Sequence, residues 1–130
     1  MGLREQSRSF SPEVVRRRVL ECITALFRET PLLEERWILE KVSKLLNVDS
    51  EKVYEVLREC VAKGILKVFD EGIRCEFCCE DVSLKDLRYD ARSVEELIGE
   101  SVYCIFCDNE NIVTEDHIYR YYKLERGGRG

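Results

Sequence analysis

Two cysteine pairs, Cys75 with Cys78 and Cys104 with Cys107, occupy the second half of this 130-residue chain. A Cys-x-x-Cys spacing puts two thiolates on one tight turn, the bite taken by a tetrahedral metal ion or an iron–sulfur cluster. One such pair says little. Two pairs separated by 25 residues predict a four-ligand site at Cys75, Cys78, Cys104 and Cys107. Cys79 follows the first pair directly and is a candidate substitute for Cys78. His117 is the only histidine and is the other candidate substitute; a lone histidine is more often a surface or half-buried residue than a ligand.

The bland reading of the paired cysteines is incidental core thiols, which two coincident knuckles disfavour. For Cys22 and Cys60 the bland reading wins, because both lie on apolar faces of predicted helices. Zinc-ribbon knuckles usually carry glycine just after the second cysteine, whereas here Cys79 and Asp108 stand there. The inner residues, Glu76-Phe77 and Ile105-Phe106, are bulky in part. Both features weigh against a zinc ribbon. A cubane cluster also takes four thiolates, at more variable spacing, so zinc and cluster both stay open on the residues alone.

The elements that must position these residues are legible from periodicity. Ser11-Pro12 starts a helix, with a capping residue followed by proline in the first turn. Its apolar face is Val15, Val19, Cys22 or Ile23, and Leu26, and Thr30-Pro31 ends it. A second helix is expected over 34–46, with Trp37, Ile38, Val42, Leu45 and Leu46 inside. Asp49 or Ser50 caps a third, with Val53, Val56, Leu57, Cys60 and Val61 inside and Gly64 closing it. Residues 65–69 read as a strand, Asp70-Glu71-Gly72 as a hairpin turn and 73–77 as the return strand. Helix, helix, short turn, helix, hairpin is the order of a winged helix.

Beyond it, 82–88 suggests a short helix, and Ser93 with Glu96 has capping-box form. Val102-Tyr103 leads into the second knuckle as a strand. The segment 112–124 mixes β-branched and aromatic residues and stays open between strand and helix. The expected fold is α+β: a flexible tail at 1–11, a winged helix at 12–72, a small cysteine-ligated domain at 73–124 and a disordered tail at 125–130.

Charge narrows the partners. The net charge is −5. Residues 12–70 balance at eleven basic and eleven acidic, while 71–130 carry eight basic and fourteen acidic residues. Phosphate neutralisation drives nucleic-acid binding, so the acidic cysteine domain is expected to meet protein instead. In the third helix Glu51, Glu55 and Glu59 recur at i, i+4 and i+8, a candidate protein-docking stripe with a solvated face as its plain alternative. Arg16, Arg17 and Arg18 in the first helix are candidates for weak contact with DNA backbone. No apolar run reaches membrane-span length, and 1–11 lacks the apolar core of a secretory signal. The expectation is a cytoplasmic, nucleoid-associated protein with reduced thiols; seven cysteines exclude complete internal disulfide pairing.

The stretch "CIFCDNENIVTEDHIYRYYKLE", residues 104–125, resembles the iron–sulfur domain of the RNA polymerase III subunit that carries winged helices before it. There a cysteine-bearing turn leads into an Ile-Tyr segment ending Leu-Glu, as Ile118-Tyr119 and Leu124-Glu125 do here. The chain's size and domain order are similar to the beta subunit of archaeal transcription factor E. Where that family places its last cysteine, this sequence has His117, and the first knuckle restores four thiolates. The resemblance implies a [4Fe–4S] cluster at Cys75, Cys78, Cys104 and Cys107, with one structural zinc as the alternative. It also implies a non-enzymatic initiation subunit that docks on the alpha subunit and RNA polymerase and assists promoter opening.

Two other classes compete with it. One is a winged-helix DNA-binding regulator with a zinc staple. The other is a redox protein, either a rubredoxin-like carrier or a dithiol oxidoreductase; no catalytic constellation of the usual kinds is visible to support an enzyme.

Overall fold

The computed structural model describes residues 11–87 and 90–125. The expected tails at 1–11 and 125–130 lie outside the described residues, apart from Ser11 and Glu125. Mixed α+β architecture is what these residues form. Helices α1 (Pro12–Glu29), α2 (Glu35–Leu46) and α3 (Ser50–Ala62) come first, with strand β1 (Leu32–Glu34) between α1 and α2. Strands β2 (Leu66–Arg74), β3 (Asp81–Ser83), β4 (Ser101–Tyr103), β5 (Glu110–Ile112) and β6 (Ile118–Leu124) follow. One sheet has the order β1-β6-β2-β3, and β4 pairs with β5 in a second.

The chain divides into two compact units. Among the described residues, unit 1 comprises 11–33, 37–67 and 123–125, and unit 2 comprises 34–36 and 68–122.

Unit 1 is built by its helix signals. Ser11 caps α1 by accepting from the Val14 N–H at 3.2 Å, with proline in the first turn. Thr30, forced extended by Pro31, donates its N–H to the Leu26 carbonyl and stops the helix. Gly64 takes φ +78° after α3, where a side chain would be strained. Val19, Ile23, Phe27, Ile38, Val42 and Leu57 are buried to within 2 %. Each such side chain contributes roughly 1.5–3 kcal/mol by leaving water.

The inward face of α2 is narrower than its periodicity suggests. Ile38 and Val42 are buried, but Trp37 is 42 % and Leu45 57 % exposed. Lys41, one turn beyond Trp37, sets its ammonium 5.9 Å from the indole ring centroid.

The expected hairpin turn at 70–72 does not form. β2 runs unbroken through it, and the return strand expected at 73–77 is instead the end of β2 and a cysteine turn. Gly72 is there for close approach: a Cβ would stand 2.0 Å from the Val82 carbonyl oxygen of β3. The side chains of Asp70 and Glu71 also have fixed uses within unit 2. Asp70 accepts from Ser83 Oγ at 2.7 Å and Tyr119 OH at 3.1 Å. Glu71 accepts from Arg120 Nε at 2.6 Å. The helix expected over 82–88 is, as far as Leu87, the end of β3 and a single 3-10 turn at Leu84–Asp86; Arg88 lies outside the described residues. Residues 112–124 resolve into the end of β5, a 3-10 turn at Glu115–His117 and β6.

Arg120 is a feature of unit 2 that the sequence did not announce. It is 4 % exposed and holds three carboxylates: Glu71, Glu95 at 2.6 Å and Glu35 at 3.1 Å. Burial disfavours the guanidinium charge, but the carboxylates of Glu95, Glu71 and Glu35 more than offset it and raise its pKa. Tyr122 donates its hydroxyl to the same Glu35.

Candidate metal centre

Each Cys-x-x-Cys sequence opens the six-residue turn of a hairpin, 75–80 and 104–109. Arg74 faces Asp81 across the first turn, and Tyr103 faces Glu110 across the second. Arg74 and Asp81 also form a two-pronged ion pair, Nε–Oδ1 at 2.6 Å and Nη2–Oδ2 at 3.3 Å.

Inside the turns the hydrogen bonding repeats. Cys75 N–H donates to the Glu80 carbonyl at 3.0 Å, and Cys104 N–H to the Asn109 carbonyl at 3.0 Å. Cys79 N–H closes on the Cys75 carbonyl and Asp108 N–H on the Cys104 carbonyl. Phe77 N–H points at Cys75 Sγ at 3.4 Å, and Phe106 N–H at Cys104 Sγ at 3.3 Å. Cys79 has φ +65° and Asp108 φ +64°, left-handed backbone at the position where glycine was missed in the sequence. The turn geometry forms without glycine, at the strain a non-glycine residue carries there.

The two turns bring Cys75, Cys78, Cys104 and Cys107 together, with all four sulfurs within 4.8 Å of one another. Cys75 Sγ lies 3.6 Å from Cys107 Sγ, and Cys78 Sγ lies 3.7 Å from Cys104 Sγ. Four thiolates at this spacing could hold a metal ion. The geometry fits the donor chemistry: sulfurs about 2.3 Å from a tetrahedral ion stand about 3.8 Å apart.

The thiols do not ionise alike. Burial works against the Cys75 thiolate, but hydrogen bonds from Cys78 N–H, the Asn111 amide, Phe77 N–H and Cys107 bring it down to about 6. For Cys78 a backbone hydrogen bond from Glu80 lowers the value, while burial and the sulfurs of Cys104, Cys107 and Cys75 raise it to about 12. Four sulfurs this close cannot all be anionic unless a cation sits among them.

The candidate substitutes stand apart. Cys79 is exposed and outside the group of four. His117 is outside it too: its Nε2 pairs with Glu76 Oε1 at 3.1 Å, and its Nδ1 accepts from Thr114 N–H at 3.4 Å. Cys60 is buried, which pushes its thiol up to about 11, as suits an inert core residue. Cys22 is half-buried and its thiol is likewise raised by burial.

Sequence reasoning missed Asn109 and Asn111. Asn109 Nδ2 lies 3.2 Å from Cys107 Sγ, and Asn111 Nδ2 lies 3.5 Å from Cys75 Sγ. Their only signal was polar residues just past the second knuckle.

The candidate partner and DNA residues are all in unit 1. Glu51 is exposed, Glu55 pairs with Lys52 at 3.2 Å, and Glu59 pairs with Arg16 at 2.8 Å. One member of the expected acidic stripe and one of the expected arginine group thus engage each other. Arg17 and Arg18 are exposed.

Fold and site together define an α+β protein with a four-thiolate centre. Compared with known proteins, the chain matches no family model, no curated protein and no solved structure. Among the described residues no helix is long and apolar enough to cross a membrane.

Proposed function

We propose that the chain is a non-enzymatic docking subunit of a transcription initiation apparatus, its second unit stapled by one structural metal ion. The observation that carries this reading is the company the four sulfurs keep. Phe77, Tyr103, Ile105, Phe106 and Ile112, on the two cysteine turns and the β4–β5 hairpin, are each more than 50 % exposed. Large apolar side chains exposed on metal-held turns suit protein recognition. Glu76, Asp108 and Glu110 are neighbours of these residues in sequence and disfavour bare nucleic acid as the occupant.

The winged-helix reading draws support from the strand order. A winged helix places its return strand between the strand after the first helix and the strand after the third. In this chain β6 has that place in the order β1-β6-β2. On this reading the cysteine segment is inserted in the sequence between the two wing strands, and the hairpin turn sought at 70–72 is replaced by residues 75–117.

The sulfur spacing favours a mononuclear ion over a [4Fe–4S] cluster, because a cubane sets four irons between its thiolates and spreads them further. Zinc is the ion this closed, redox-silent donor set suits best. The same spacing supports the second reading, a winged-helix DNA-binding regulator with a structural zinc. The ion pairs of Arg16 and Glu59 and the exposed acid of α3 count against autonomous DNA binding.

The partners on the initiation reading are the alpha subunit of transcription factor E and RNA polymerase, with DNA contact weak or indirect through Arg17 and Arg18. The test is reconstitution with the purified alpha subunit and polymerase of the same organism. Stable complex formation, lost when Phe77, Ile105 and Phe106 are changed together to serine without loss of metal, is the expected result. No complex, with salt-sensitive and sequence-dependent DNA binding by the protein alone, would transfer the reading to the regulator.

A further inference from the structure

Asn111 on β5 is 2 % exposed, one of two buried polar or charged side chains among the described residues. A buried amide is costly unless its donors and acceptor are used, and here they are. Its Oδ1 accepts from Glu76 N–H at 3.0 Å. Its Nδ2 lies 3.5 Å from Cys75 Sγ and 3.3 Å from the Asn109 carbonyl. Glu76 and Cys75 belong to the first cysteine turn, whereas Asn111 belongs to the hairpin of the second. Asn111 therefore joins the two turns without being a ligand. Asn109 offers the contrast, since its contact with Cys107 Sγ spans two residues of its own turn and is exposed.

We infer that Asn111 is a positioning residue of the metal centre, holding the Cys75 sulfur at its corner of the tetrahedron and setting the first turn against the second. This rests on the reading of the four thiolates as a metal site. An N–H directed at a coordinated thiolate withdraws charge from sulfur and fixes its orientation. Outer-shell partners of this kind change metal affinity about 10–100-fold when lost.

The test uses the full chain, anaerobically, with cobalt(II) as the probe. Asn111→Asp keeps an acceptor for Glu76 N–H but has no donor for sulfur; Asn111→Leu removes both. Both should lower cobalt affinity about 10–100-fold relative to the unmodified chain. Both should also move the sulfur-to-cobalt charge-transfer band to longer wavelength, because the sulfur lone pair rises in energy once the N–H is gone. Asn109→Ala should change affinity by a few-fold at most.

Unchanged affinity and an unmoved band, with only a lower melting temperature, would make Asn111 a packing residue and overturn the inference while leaving the metal site intact. Failure of the unmodified chain to bind cobalt in a thiolate site would remove the metal reading and this inference together. Should the variants not fold, the unmodified chain loaded with cadmium-113 decides. Scalar coupling between the Asn111 amide protons and cadmium is expected across the N–H···S contact, and its absence overturns the inference.

Discussion

Unit 1 buries aliphatic and aromatic side chains drawn from three helices, whereas two of the nine buried residues in the core of unit 2 are Cys75 and Cys104 themselves. Cys78 and Cys107 pack against that same core from its margin. The candidate ligands of unit 2 are thus part of its hydrophobic interior or packed at its margin. Helices satisfy their own backbone hydrogen bonds, so unit 1 needs only an apolar stripe from each. Unit 2, about 60 residues, has no α-helix among its described residues; beyond most of β2 and β6 it holds three-residue strands and short 3-10 turns, little regular structure to bury. At that size a core seldom suffices without a staple. The difference suggests where each unit finds its stability: unit 1 in its helical core, and unit 2, on the proposed metal reading, in the chain together with an ion.

Cys104→Ser should break the comparison most severely. Structural zinc contributes about 10–16 kcal/mol of apparent folding free energy in small zinc domains. The variant should lose metal and the slow amide exchange of β4 and β5 while the helical circular dichroism of unit 1 persists. Retained exchange protection would show that the core of unit 2 suffices alone.

The same site sets a proton count. If unit 2 folds around the ion, its thiols lack the hydrogen bonds of the folded turns before binding and enter it protonated. Uptake of a divalent ion at pH 7 should then release up to about four protons, read by indicator dye in weak buffer. Acid should strip the ion, since protonation competes with metal at every sulfur.

Next in size are two substitutions, one in each unit. Phe27→Ala should cost unit 1 about 3–5 kcal/mol in denaturant unfolding and leave metal content unchanged. Arg120→Ala leaves Glu35, Glu71 and Glu95 facing one another without their cation. It should cost unit 2 about 3–5 kcal/mol even with metal bound, measured by the same titration. A smaller effect would mean the carboxylates turn out to solvent.

The smallest effect belongs to Arg16→Ala. Its pair with Glu59 is about 40 % exposed on both sides, and exposed pairs contribute about 0–1 kcal/mol. A larger loss of stability would assign that pair a role in joining α1 to α3 beyond its charge.

What the sequence by itself determined is local. Ser11-Pro12, Thr30-Pro31 and Gly64 act on the backbone within a turn of where they stand, so the ends of α1 and α3 were readable. The thiolate spacing is local as well, and all four sulfurs it named come together. What only the tertiary structure decided is non-local. Asp70-Glu71-Gly72 has the composition of a turn, yet Gly72 serves a close approach to β3, and the acids serve partners 13 and 49 residues away. Trp37 and Leu45 fit a helical period but face solvent, because period fixes which residues share a face and not how wide a face is covered. Glycine was absent after each cysteine pair, yet Cys79 and Asp108 take the left-handed backbone, since hydrogen bonds on both sides of the turn over-determine it. Asn111 and Arg120 carry no mark in the sequence, because burial and partners, not residue type, make a polar side chain part of a core.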